Sequence, residues 1–286
     1  GMRSDDPNDI VPHEHRRDQR ALQILCAFTG HEDSRAINNL DVVATMKDGT
    51  KYVKHFLLDF GSTLGSASTG PNSQRSGAYF FDWKESAKNL FSLGLRVPYY
   101  SFAKYPDLPS VGKFESKTFD PLRWVPEYPN PAFLNMLPDD AFWIAKQIMS
   151  LSDTDIRAIV ETGELSDPKA ADWIAKCLIE RRDKIGKAFY AQVLPLDRFA
   201  VKEGVLTWTD LRNATGNVTL QWHAFNNETE QRTPIAGATS NKLPPIADGQ
   251  YYCAELTQAS NPKHKIFVYL RPRGGAPEVV GIEREW

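Results

Sequence analysis

Cysteine is scarce in this chain: Cys26, Cys177 and Cys253 are three among 286 residues, odd in number and far apart. They form neither a disulfide framework nor a zinc-ligand cluster, and they fit a reducing, cytoplasmic compartment. Long apolar runs are also missing. No segment approaches the roughly 18 residues needed to cross a bilayer, and no hydrophobic signal opens the chain, so no membrane partner is expected. Nor is there an excess of charge of one sign. With 34 basic residues against 36 acidic ones, the molecule has no field to draw it to nucleic acid or an anionic membrane. Internal repeats are absent as well, and the length suits two modest domains.

What is present begins with "HEHRRDQRALQILCAF", where Leu22, Leu25 and Cys26 recur at helical spacing; this predicts a helix over about 13–28, ended by Thr29-Gly30. A loop follows over 31–39. "LDVVATM" and "KYVKHFLL" are β-rich runs flanking Asp48-Gly49, a strong hairpin signal, and the hairpin delivers Asp59 at its far end. "STLGSASTGPNSQRSG" has the composition of a mobile surface loop. A short helix is expected over 82–93, then a long Pro- and aromatic-rich irregular segment anchored by its rings. Helices are expected over 138–149, over 153–162 behind a Ser152 cap, and over about 168–192 behind Ser166 and Asp167.

Near Gly204 the pattern changes. "VLTWTDL", "VTLQWHAF", "QYYCAEL" and "KIFVYLRP" are short β-branched and aromatic runs between Asn, Gly and Pro clusters. A separate β-sandwich is expected over 204–286, with a core of Trp208, Leu220, Trp222, Tyr252, Phe267 and Tyr269, since alternate strand residues share a face. The fold class is therefore α+β, with domains at 1–203 and 204–286.

The chemistry gathers in "HEDSRAINNLDVVATMKDGTKYVKHFLLDFG". If Asp33, Asn38 and Asp59 converge, two carboxylates and an amide oxygen offer the hard ligands magnesium prefers, and a carboxylate beside them can orient an acceptor hydroxyl. "HEDSRAIN" fits His-x-Asp-x-x-x-x-Asn and "LLDFG" fits Asp-Phe-Gly. In these motifs the chain resembles the C-terminal lobe of the protein-kinase-like superfamily. The resemblance implies that Asp33 is the catalytic aspartate, that Asn38 and Asp59 bind magnesium beside Gly61, and that Arg35 is the cation near the transferred phosphate. It also implies that His31 braces the Phe60-Gly61 turn and that Mg2+ and ATP are the cofactors. The motifs cover about 10–93, and the helices to about 199 resemble that lobe loosely.

Two departures mark an atypical relative: a long hairpin between Asn38 and Asp59, and no Ala-Pro-Glu after the loop. Only about thirty residues precede His31, with no Gly-rich loop, strand lysine or helix glutamate, so the N-terminal lobe is absent from this sequence. That lobe is encoded upstream, or supplied by other parts of the chain, or the protein is an inactive remnant. The first expectation is thus a truncated or atypical kinase-like phosphotransferase, inactive as an isolated chain, with an unidentified acceptor. The alternative is a non-catalytic scaffold whose β-domain docks a protein partner.

Other signals carry blander readings. His13, His15 and His31 do not have zinc-site geometry, and Ser62 lacks the setting of a nucleophile elbow. Arg181, Arg182, Lys184 and Lys187 alternate with acids and read as a solvated helix face. The Asn213, Asn217 and Asn227 glycosylation-type triplets read as turns. Tyr251, Tyr252, Trp222 and Trp208 read as core packing rather than a ligand platform.

Overall fold

The computed structural model describes residues 13–212, 218–245, 247–274 and 276–286, so the start of the motif-bearing segment at Ile10 and the Asn213 and Asn217 triplets lie outside the described residues. The fold is α+β and divides into two units, Gly1–Ala188 and Phe189–Trp286. Among the described residues, no helix is long and apolar enough to cross a membrane.

In the first unit α1 (Arg17–Thr29) follows a single 3-10 turn, and Gly30 ends it in the left-handed region, donating its N–H to the Cys26 carbonyl. Its inward face carries Ala21, Ile24, Ala27 and Phe28, whereas Leu25, expected inside, is exposed. The hairpin β1 (Asn39–Thr45) and β2 (Lys51–Leu57) closes through Met46 and Thr50, with Gly49 at φ 87°. Helix α2 (Trp83–Phe91) is capped by Asp82, which accepts from the N–H groups of Lys84 and Glu85. The irregular segment is anchored by its rings, since Phe114, Phe119 and Trp124 are all buried. It also holds a 3-10 turn at Tyr99–Phe102 and a short α-helix, α3 (Pro131–Leu134), behind an Asn130 cap.

Helices α4 (Pro138–Met149), α5 (Asp153–Glu161) and α6 (Pro168–Tyr190) begin where their caps and prolines predict. Arg20 of α1 holds the buried Asp140 of α4 with two hydrogen bonds of 2.6 and 2.9 Å, and Asp140 also accepts from the Leu137 N–H.

The basic face of α6 is solvated only in part: Lys187 is exposed as expected, but the other three cations turn to backbone. Arg181 is buried, donates to the carbonyls of Glu115 and Ala27 at 2.9 Å, and lies 4.3 Å from the ring centroids of both Phe114 and Phe119. Burial lowers its pKa to about 10. Lys184 donates to the carbonyls of Ser116, Lys117 and Phe119, and Arg182 to that of Leu151. These cations satisfy carbonyls of the irregular segment, of the last turn of α1 and of the link between α4 and α5, as buried carbonyls require.

In the second unit β3 (Leu196–Lys202) and β4 (Val205–Asp210) form one antiparallel pair. The strands β5 (Val218–Asn226), β6 (Gln231–Pro234), β7 (Tyr251–Gln258), β8 (Asn261–Arg273) and β9 (Ala276–Glu285) form a five-stranded antiparallel sheet in the order β6-β5-β7-β8-β9. One core joins Leu194, Leu196 and Leu206 to Leu220, Trp222, Tyr252, Leu256, Ile266, Val268 and Leu270. The unit therefore starts upstream of Gly204: β3 pairs with β4, and Leu194 and Leu196 belong to the β core.

The expected core needs one correction. Phe267 and Tyr269 stand on the face opposite Trp222, because Val268 pairs with Ala254 and Ala254 with Trp222. Phe267 is nevertheless buried, under the Arg232 guanidinium 3.9 Å above its ring. Arg232 of β6 also reaches Glu283 of β9 at 2.6 Å. In a flat sheet those strands would lie roughly 19 Å apart, so the sheet must be strongly twisted and curled toward this face.

Candidate functional site

Residues 31–38 are fixed from several directions. The His31 N–H donates to Cys26 at the end of α1, Glu32 N–H donates to the Ser62 carbonyl at 3.1 Å, and Glu127 N–H donates to the Glu32 carbonyl. Asn130 ties the loop to the start of α3: its amide donates to the Ser34 carbonyl at 2.9 Å while its oxygen caps Ala132. Such extensive backbone satisfaction holds a loop as firmly as a regular element.

On this frame Asp33 is half-buried and contacts the exposed Arg35 through its carboxylate, which raises the guanidinium pKa further. Asn38 donates its side-chain amide to the Asp33 carbonyl at 2.7 Å, while its own carbonyl accepts from the Leu58 N–H at 2.7 Å. The hairpin thus returns the chain beside Asn38 one residue before Asp59. Asp59 adopts φ 56° and accepts from the Gly61 N–H at 3.2 Å, bonding within its own turn rather than to Asp33 or Asn38. A side chain on Gly61 would displace the Ser68 hydroxyl and crowd the Asp59 carboxylate, so glycine allows this close approach.

His31 links the two halves. Its ring is buried, stacks on Phe60 at 5.6 Å, and bonds through Nδ1 to the Ser62 carbonyl and the Thr63 hydroxyl. Burial is the main influence and lowers its pKa, while the Ser62 carbonyl and the Asp33 and Asp59 charges act in the opposite sense. Both carboxylates therefore lie within electrostatic reach of one ring. Because the Asn38 N–H2 is spent on backbone, its Oδ1 is the acceptor that side chain keeps; among the described residues, no group of three or more histidines, cysteines and acids that could hold a metal ion is found.

Sequence reasoning missed the groups that support these residues. Glu32 is buried beside Asp33, accepts from the Ser76 hydroxyl and from the Gly77 N–H at 2.6 Å, and burial pushes its pKa up to about 7. Arg35 lies 4.9 Å from the Tyr128 ring centroid, Tyr128 stacks on Phe80, and Phe80 lies under Arg75. The only local signal was the acid next to Asp33; Ser76 and Tyr128 arrive through tertiary folding. The three cysteines are buried, and burial pushes their thiols up to between about 11 and about 12, so they are not thiolate nucleophiles at neutral pH.

No family model, curated protein or solved structure matches this chain.

Proposed function

We propose that residues 31–61 are the catalytic loop and metal-binding turn of an atypical kinase-like phosphotransferase. What supports this reading is that the Asn38 amide fixes the Asp33 backbone, that the strand end returns to Asn38 one residue before Asp59, and that the His31 ring stacks on Phe60 next to Asp59. In this reading Asp33 accepts the proton of an acceptor hydroxyl as its oxygen bonds to phosphorus and the bond from the terminal phosphorus of ATP to its leaving oxygen breaks. Asn38 and Asp59 hold Mg2+, which neutralises phosphate charge when bound, and Arg35 supplies a further cation. The acceptor is a hydroxyl compound. The given sequence carries no Gly-rich loop or strand lysine, so this chain alone binds ATP weakly and is inactive without those elements.

The test uses Mn2+ as a spectroscopic stand-in for magnesium, followed by water-proton relaxation with and without ATP. Saturable binding that ATP strengthens, and that Asp59→Asn and Asn38→Ala abolish while the circular dichroism spectrum is retained, supports the reading. Binding unaffected by both substitutions sinks it.

A second reading has a specific observation behind it: Arg35 occupies the Asp33 carboxylate and neutralises the expected base. In that case the loop is a structural remnant and the protein a scaffold that docks a protein partner through its β unit. Absence of saturable Mn2+ binding at every ATP concentration favours this alternative.

A further inference from the structure

A cavity of about 340 Å³ lies between the 75–80 segment, α2 and the 96–100 segment. Its size falls in the range of small-molecule sites. Arg75, Arg96 and Arg123 contribute to its lining, together with Tyr79, Tyr99 and Tyr100.

Two acids also line the cavity. Asp82 accepts both N–H groups of the α2 cap through Oδ1 at the helix N-terminus, and Glu85 pairs with Lys88 at 2.9 Å and with Arg96 at 2.5 Å. Arg75 and Arg123 are different. Among the described residues neither has a carboxylate partner; instead Arg75 lies 4.6 Å from the Phe80 ring centroid and Arg123 lies 4.4 Å from that of Tyr99. A guanidinium stacked on a ring is held by its face and keeps its N–H edge for acceptors in its own plane. Arg75 uses one such donor on the Phe80 carbonyl at 3.1 Å and retains the others. The lining thus combines two guanidiniums that lie over rings and have no carboxylate partner among the described residues with tyrosine rings able to take an organic body.

We propose that this cavity binds a small organic phosphate, with Arg75 and Arg123 as its counter-charges and the tyrosines against its organic part. Two guanidiniums favour a phosphate dianion over a carboxylate, which offers one charge and two oxygens. The cavity also communicates with the loop of residues 31–38, because Arg75, Phe80, Tyr128 and Arg35 form one continuous stack ending at Asp33. The inference stands apart from phosphoryl transfer, since it needs neither metal nor nucleotide.

The test is calorimetric titration of the full chain with phenyl phosphate, free of divalent metal and ATP, beside phenylacetate, benzyl alcohol and inorganic phosphate. Saturable binding of phenyl phosphate is expected, tighter than each comparison compound. Arg75→Gln and Arg123→Gln should each weaken it about tenfold or more, as loss of a charge-assisted hydrogen bond does, with unfolding temperatures unchanged. Asp59→Asn should leave it unaffected, which separates this site from the metal turn. Binding of benzyl alcohol equal to phenyl phosphate, parity of phenylacetate or inorganic phosphate with it, no saturation in the millimolar range, or indifference to both arginine variants would each overturn the proposal.

Discussion

The two antiparallel regions of this protein use the same backbone pattern and bury side chains in opposite ways. In the second unit, β5, β7 and β8 put Trp222, Leu256, Ile266, Val268 and Leu270 into a core from which solvent is excluded. In the first unit, β1 and β2 pair over seven residues each, yet Leu40, Val42, Val43, Tyr52 and Phe56 are all exposed. Strand pairing is therefore not what decides stability here. A lone hairpin is marginal in water, whereas a sheet with one covered face carries about 1.5–3 kcal/mol for each large apolar side chain it buries. The hairpin gains its position instead from polar ties: Leu58 bonds to Asn38 at its end, and His55 in the middle of β2 lies 2.6 Å from Asp41 and 3.9 Å from Asp18 of α1. An arm tied down in this way does not need a core of its own.

The largest expected effect tests the buried half of that comparison. Trp222 is fully buried and donates its indole N–H to the Ser240 carbonyl at 2.8 Å. Trp222→Ala should cost about 3–5 kcal/mol, a large share of the about 5–15 kcal/mol that holds a domain folded, so the second unit should unfold first in mild urea. Proton NMR should show loss of the dispersed signals of β5, β7 and β8 while those of Ile24 and Phe142 survive. Simultaneous loss of both sets would mean that the two units are not independent. Hydrogen exchange on the wild-type chain asks the same question without mutation: β1 and β2 amides should exchange orders of magnitude faster than those of β7 and β8. Equal protection would show that the exposed hairpin is covered in solution.

A second contrast lies in buried charge, and its effect is somewhat smaller. The first unit buries Glu32, whose carboxylate pKa rises from 4.5 to about 7 mainly by desolvation. A carboxylate with a raised folded pKa binds a proton more readily in the folded state. Its contribution to stability is therefore greatest below the unfolded pKa and falls as pH rises through the window from 4.5 to about 7. His31 acts oppositely, because its lowered pKa favours the folded state as pH rises. The difference between wild type and Glu32→Gln isolates the first term. The variant should gain on wild type between pH 5 and pH 8 by an amount on the order of 3 kcal/mol, read from urea midpoints. A constant difference across that range would show that Glu32 stays ionised in the folded protein.

How much of this was legible in the sequence follows from how local each signal is. Ser152, Pro138 and Pro168 mark helix starts through their own backbone geometry, and Asp48-Gly49 marks the hairpin in the same way. Gly30 likewise ends α1 where the sequence places it. The facing of β8 was not legible, because "KIFVYL" is apolar at successive positions and alternation then carries no information. Leu194 and Leu196 fell between the helix expected to end near 192 and the β-domain expected from 204, since Pro195 between them hides a strand start. Arg181 looked solvated because Glu180, Arg182 and Asp183 surround it in sequence; only the fold shows Phe114 and Phe119 closing over it. For the site, the five-residue spacing from Asp33 to Asn38 was readable. Glu32, Ser76, Asn130 and Tyr128 were not, because they meet that loop from elsewhere in the chain.

The smallest predicted effect belongs to the exposed half of the comparison. Val43 pairs across the hairpin with Val53 and is 66% exposed, the most accessible apolar side chain of β1. Replacing it with threonine keeps the β-branch, and with it the strand preference of the backbone, while changing one methyl to a hydroxyl that water can solvate. No buried area is lost and no donor is stranded, so Val43→Thr should lie within about 0.5 kcal/mol of wild type at all protein concentrations. The measurement is a pair of urea unfolding curves, one in the low micromolar range and one far above it. A cost above about 1 kcal/mol appearing only at the higher concentration would mean that a second copy covers Val43, since a side chain facing water has nothing to lose by becoming polar. In that event the hairpin would be half of an interface, and its contrast with the buried sheet would describe only the isolated chain.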